Sequence, residues 1–191
     1  MEMSFRAAGH HVAVHLAAVA VILLCACAGS VAAGARKAPA PPPAPPKEIC
    51  SRTFVLTEVF NPRTLITPTG IQFSLTDLSP IIGYTIAYTD DDLFLGKGVT
   101  NSSVLVGKVT SVCYILNPID SYCTSTVTFG SFGDLTSFGP FGDSTGNTFQ
   151  NAIPGGTGIF SGAQGSMKVE VLSGGQLWAY TITLTKAPKC T

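Results

Sequence analysis

Glu58 has the most chemistry to offer in this sequence. It stands in the run Phe54, Leu56, Glu58, Phe60, spaced by two, which is one face of a β-strand; Thr53, Val55, Thr57 and Val59 fall on the other. A carboxylate held in an apolar interior row loses its hydration. Its pKa then rises, and it becomes a proton donor or a polariser of a bound ligand. The competing reading is a Glu hydrogen-bonded to its strand neighbours, or one whose strand register leaves it outside. No second carboxylate is evidently placed beside it, because Asp77, Asp134 and Asp143 fall in turn-like stretches. Asp90-Asp91-Asp92 lacks the ligand spacing of a calcium loop and reads as a solvated turn. All three histidines (His10, His11, His15) precede the mature domain, which removes Ser-His-Asp and Cys-His machinery and ordinary His-ligated metal sites. No metal or cofactor is expected.

Gly155-Gly156-Thr157-Gly158-Ile159-Phe160-Ser161-Gly162 has the look of a nucleotide-binding glycine loop. Such a loop needs a helix after the glycines to meet the pyrophosphate. Here Ser166 to Leu172 is a strand pattern instead, so the cluster reads as a corner in a strongly curved sheet. Cys50, Cys113, Cys123 and Cys190 remain once a leader carrying Cys25 and Cys27 is removed, and four cysteines allow three pairings. If the first and last strands are neighbours in a closed barrel, Cys50 and Cys190 lie at one end and pair. Cys113 and Cys123 flank the Asn117–Asp120 turn symmetrically; either they face each other across a hairpin or Cys113 is a free inward thiol.

The elements that must position these groups are strands. Ile71–Leu75 and Ile82–Tyr88 alternate, Val104–Leu116 and Ser121–Ser131 form a hairpin, and Gly165–Leu172 and Gln176–Thr185 close the chain. Phe-Gly occurs four times between Phe129 and Gly142, which reads as tightly curved strand with glycine kinks. The class is all-β.

Ahead of that domain, Val12–Ala28 is an apolar run ending in Ala26-Cys27-Ala28, a secretory signal peptide over residues 1–28 that leaves no stable membrane anchor after cleavage. Residues 29–49 form a proline- and alanine-rich spacer (KAPAPPPAPPK at its centre), and the folded domain occupies 50–191. Ten basic and ten acidic residues follow Gly34, so no charge excess points to nucleic acid. Asn101-Ser102-Ser103 is an N-glycosylation sequon, usable in a secreted chain. The expected location is extracellular, with a plastid address through a two-part leader as the lesser reading.

Three stretches, FGSFGDLTSFGPF (129–141), GGTGIFSGAQGSMKVE (155–170) and VGKVTSVCYIL (106–116), together resemble the barrel superfamily of allene oxide cyclases and dirigent proteins. The resemblance implies a closed antiparallel eight-stranded barrel, commonly trimeric, with an apolar lumen pocket. It also implies a strand Glu and a nearby Asn at the pocket base, matched by Glu58 and, with a one-residue shift, Asn61. Phe54, Leu56, Phe60, Cys113, Phe129 and Phe132 would then line the ligand site. The chain departs from both families: Phe132 and Leu135 replace polar or tyrosine-type residues of the cyclases, and Ser161 and Gln164 stand where dirigent proteins carry arginines. The expected function is a secreted dirigent-like barrel that binds an apolar or phenolic ligand and directs the stereochemistry of its coupling or cyclisation. The alternatives are an isomerase of the allene oxide cyclase type acting on an unstable fatty-acid epoxide, and a non-catalytic cell-wall or surface binding module.

Overall fold

The computed structural model describes residues 43–190. The expected leader and most of the spacer lie outside the described residues. Nine strands follow one another: β1 (Thr53–Val59), β2 (Leu65–Ile66), β3 (Thr85–Leu95), β4 (Leu105–Ile115), β5 (Asp120–Thr128), β6 (Asp134–Gly142), β7 (Thr148–Gly156), β8 (Gly165–Ser173) and β9 (Leu177–Leu184). Every pairing is antiparallel, and β1 bonds to β9 on one side and to β3 on the other. Eight strands therefore close into a barrel, and two-residue β2 adds to the part of β3 that extends past β1.

The alternating Ile71–Leu75 stretch is not a strand, and the part of β3 that extends past β1 pairs with β2 instead. Ile71, Phe73 and Leu75 pack part-buried against the core from a loop. Ile49, at the end of the expected spacer, has no exposed surface, so the folded unit begins ahead of Cys50. Cys50 is bonded to Cys190 (Cα–Cα 5.8 Å), tying the start of the ring to its end.

The two glycine-rich motifs pack on each other. Gly133 (φ 116°) and Gly158 (φ 56°) adopt backbone angles that side chains rarely tolerate. A Cβ on Gly133 would strike the Thr157 carbonyl, and one on Gly158 would strike that of Phe132. Thr157 then locks the corner, its Oγ1 accepting from Asp134 N at 3.0 Å while its N donates to Asp134 O at 2.9 Å.

One half of the interior is apolar. Phe54, Phe129 and Phe160 form an aromatic triad, with Phe129 and Phe160 centroids 4.8 Å apart, among Val109, Val127, Leu135 and Ile182. The other half contains Glu58.

Candidate functional site

The inward face of β1 carries Phe54, Leu56 and Glu58, and Glu58 is 3% exposed. Opposite Glu58 in the ladder is Trp178; two residues further along β9, Tyr180 donates its hydroxyl to Glu58 Oε2. On the other side, β3 is bulged. Tyr88 pairs with Ser111 and Asp91 with Val109, so Thr89 and Asp90 oppose the single Thr110. Asp90 takes the left-handed conformation (φ 61°), which Asp tolerates better than most residues. The extra residue lets both Tyr88 and Asp91 face inward. The three aspartates are thus strand rather than solvated turn, and Asp91 has no exposed surface. Its Oδ1 accepts from Asn61 N at 3.0 Å and Thr64 Oγ1 at 2.7 Å, while Oδ2 has no partner. Asp143, between β6 and β7, is also buried, with Oδ1 unpartnered.

Three carboxylates therefore approach one end of the lumen, and none of the described buried polar residues is Lys or Arg. Glu58 is pushed well above the usual carboxylate range, by burial first, then by the charge and hydrogen bonding of Asp91 and by the charge of Asp143. Burial also raises Asp91, against the hydrogen bonds from Thr64 and Asn61, and lifts Asp143 to about 7. The Tyr88 phenol is raised as well, by burial and then by the Asp143, Glu58 and Asp91 charges. With Asp91 anchored by two donors, the shared arrangement is Glu58 protonated and Asp91 the anion. Among the described residues no group of three is placed to ligate a metal.

Around the lumen the polar groups form a seam. Tyr88, Ser111, Ser125 and Ser137 are register partners across β3 to β6, and Ser111 Oγ donates to Ser125 Oγ at 2.8 Å. Ser137 Oγ and, from β7, Asn151 Oδ1 end it unpartnered and buried. Above the seam sits an aromatic cap. Phe60 meets Tyr88 and Trp178 edge-on at 5.8 and 6.5 Å, and Phe141 lies 5.5 Å from Trp178. The cleft between Glu58, Tyr88, Ser111, Cys113, Phe141 and Trp178 leaves about 0 Å³ for a water-sized sphere. A larger cavity of about 500 Å³ lies elsewhere, bounded by Pro43, Asp90, Leu105–Lys108 and Thr128–Phe132.

No family model matches the sequence. No curated protein matches it either. Solved structures do match the barrel. Two pterocarpan synthase dirigent proteins superpose with TM-scores of 0.52 each: one at 23% identity over 69% of this chain and 81% of its own, the other at 20% over 69% and 91%. The fold is that of dirigent proteins. A pyocyanin demethylase also matches, with a TM-score of 0.49 and 20% identity over 70% of this chain and 99% of its own.

Within this dirigent-type barrel, the site residues expected from sequence separate into groups. Glu58, Leu56 and Phe60 share the Glu58 half, Phe60 half-buried in the cap. Phe54 and Phe129 belong to the opposite triad, and Phe132 lines the larger cavity. Cys113 does reach the cleft, but as a disulfide with its direct cross-strand partner Cys123 (Cα–Cα 4.1 Å), not as a free thiol. Asn61 is not in the lumen. It lies exposed just past β1, its side chain accepting from Arg63 N at 3.1 Å to cap a turn, and only its backbone reaches Asp91. Asn101 is exposed and caps a turn in the same way, accepting from Ser103 N at 3.0 Å. Asp91, Asp143, Tyr88 and Tyr180 were missing from the sequence-derived set. Pairing of the first and last strands, implied by Cys50 and Cys190, was the signal that could have brought Tyr180 beside Glu58.

Proposed function

We propose that this barrel is exported and binds a neutral, hydroxylated aromatic ligand beside Glu58, fixing the face on which that ligand couples or cyclises. The observation that carries the reading is the buried acidic end of the lumen, where Glu58 hydrogen-bonds Tyr180 beside Asp91, and Asp143 Oδ1 has no partner. The unmet capacity is acceptor oxygen, which fits a ligand bearing O–H donors. A lumen in which none of the described buried residues is a cation is a poor host for the carboxylate of a fatty-acid epoxide, so the same observation favours the phenolic reading over the cyclase-type isomerase. The leader, the sequon and the two disulfides support export. Two of the structural neighbours are named pterocarpan synthase dirigent proteins, which supports a dirigent-type role.

Protonated Glu58, oriented by Tyr180, donates to a ligand oxygen as negative charge develops there, an interaction of the kind whose loss costs about 2.7–4 kcal/mol of barrier. Seam hydroxyls hold the ring in one orientation, and the aromatic walls exclude water and the opposite approach. Because the cleft is closed, entry requires the cap side chains to swing aside. Oxidation of the phenol is left to a separate one-electron oxidant. The test is a panel of phenols coupled with a chemical oxidant, with and without the purified protein: an enantiomeric excess that disappears in Glu58→Gln supports the reading. Racemic product from every phenol, with and without protein, sinks it.

A further inference from the structure

The cleft beside Glu58 is closed by the side chains of Phe60, Phe141 and Trp178. Two of the three cannot leave without opening the ring. Phe141 stands in β6 opposite Ser121, and Trp178 stands in β9 between Glu58 on β1 and Val171 on β8. Phe60 is different. It lies half-buried one residue past the end of β1, where the chain leaves the barrel wall. After it come the exposed residues Asn61, Pro62 and Arg63, then Thr64, then two-residue β2, whose Ile66 is 59% exposed. A segment with little buried surface opens at a fraction of the free energy that unfolds the domain.

The bonds that hold this strap down converge on one carboxylate. Asp91 Oδ1 accepts from Asn61 N at 3.0 Å and from Thr64 Oγ1 at 2.7 Å. Beyond these, Phe60 N donates to Gln176 O at 3.0 Å, and Thr89 Oγ1 donates to Thr64 O at 3.1 Å. Strand β2 meets β3 through two pairs alone, Leu65 with Tyr88 and Ile66 with Ala87. A hydrogen bond to an ionised carboxylate is roughly twice as strong as a neutral one, so Asp91 supplies the strongest ties in the set. The bulge that turns Asp91 inward thus joins the strap, through one side chain, to the acidic end of the lumen.

We propose that the segment from Phe60 to Ile66 is the gate of the lumen and that Asp91, through Asn61 and Thr64, is its latch. Opening carries Phe60 off Tyr88 and Trp178 and leaves all eight barrel strands paired. The inference deepens the reading of the lumen as a ligand site by naming the way in. It rests on that reading only for what passes through.

The experiment is acrylamide quenching of Trp178, the chain's one tryptophan and 1% exposed, so the quencher reaches it when the cap opens. Thr64→Val keeps the side-chain shape and removes its bond to Asp91. Loss of one hydrogen bond to a charged group is expected to raise the open population, and the quenching rate constant with it, about tenfold. The control, Thr57→Val, removes a buried hydroxyl bonded to Gly96 and Gly98, away from the strap, and should quench as the parent does. Far-UV circular dichroism should match the parent throughout. If Thr64→Val does not fold, Thr89→Val removes the strap's other side-chain tie and supplies the same readout. Quenching of the strap variant no faster than the parent overturns the proposal. So does a Thr57→Val variant quenched as fast as the strap variant, since that is general loosening. A phenol titration of the same proteins separates the two readings: faster quenching in Thr64→Val with no phenol bound supports the gate and sinks only the phenolic ligand.

Discussion

Asp143 gives the sharpest quantitative handle on the site. It is buried without a counter-charge, and its carboxyl is raised from 3.8 to about 7 by desolvation. The unfolded chain ionises this group near pH 4, whereas the folded barrel keeps it neutral until about pH 7. Below pH 4 both states are protonated, and the group's contribution to stability is fully present. As pH rises from 4 to 7 the unfolded state alone releases the proton, and that contribution is lost at about 1.36 kcal/mol per pH unit. Three units give a loss on the order of 4 kcal/mol, complete above pH 7. Asp143→Asn removes the titration while keeping the shape. Urea unfolding at pH 4, 5, 6, 7 and 8 should show the parent falling relative to the variant by about this amount, which corresponds to on the order of 10 °C in Tm for a domain of this size. Glu58 and Asp91 are raised in the same direction and are present in both proteins, so the difference reports Asp143 together with the smaller upward push that its charge gives Glu58. Parallel pH profiles for parent and variant would refute the assignment of a buried, uncompensated carboxylate here.

Tyr180→Phe removes the donor to Glu58 Oε2 and leaves a buried acceptor unpaired. It should cost about 1–3 kcal/mol in urea unfolding and reduce the enantiomeric excess of guided coupling without abolishing ligand binding measured by Trp178 fluorescence. The two disulfides should separate by the length of chain they close. Replacing Cys50 and Cys190, 140 residues apart, should cost about 5 kcal/mol, against about 3 kcal/mol for Cys113 and Cys123, 10 apart, in matched Cys→Ser denaturation curves.

Much of the barrel was legible because its strands are half-buried and alternate, as Phe54 to Glu58 and Tyr122 to Val127 do. Glycine-rich stretches read as corners because Gly133 and Gly158 sit where a Cβ would meet backbone. Strand β7 was harder to see: Pro154, Gly155 and Gly156 are depleted from strands and are tolerated here beside an irregularity in the β6–β7 ladder. At the site, Glu58 followed from local alternation alone. Its partners did not, since Tyr180 is 122 residues away and only ring closure brings it close. Asp91 was hidden by a different cause. A bulge changes the count between two inward positions from two to three, and simple alternation from Tyr88 then reads Asp90 as inward and Asp91 as outward. Asn61 was placed at the pocket base by the family resemblance, with a one-residue shift, but β1 stops at Val59 and the chain turns away.

The bulge also bears on which length changes the gene can accept. A strand is a two-phase frame: losing one codon from a regular stretch exchanges inside for outside over everything between the lesion and the next turn. Between Tyr88 and Asp91 the chain holds one residue more than its partner strand requires. Deleting Asp90 would restore plain alternation and leave Tyr88 and Asp91 on the lumen side. The same deletion at Val112 would turn Tyr114 into the barrel and Cys113 out of it. Beside the most chemically demanding group in the molecule, the fold thus carries a slot in which an in-frame deletion is silent for side-chain facing.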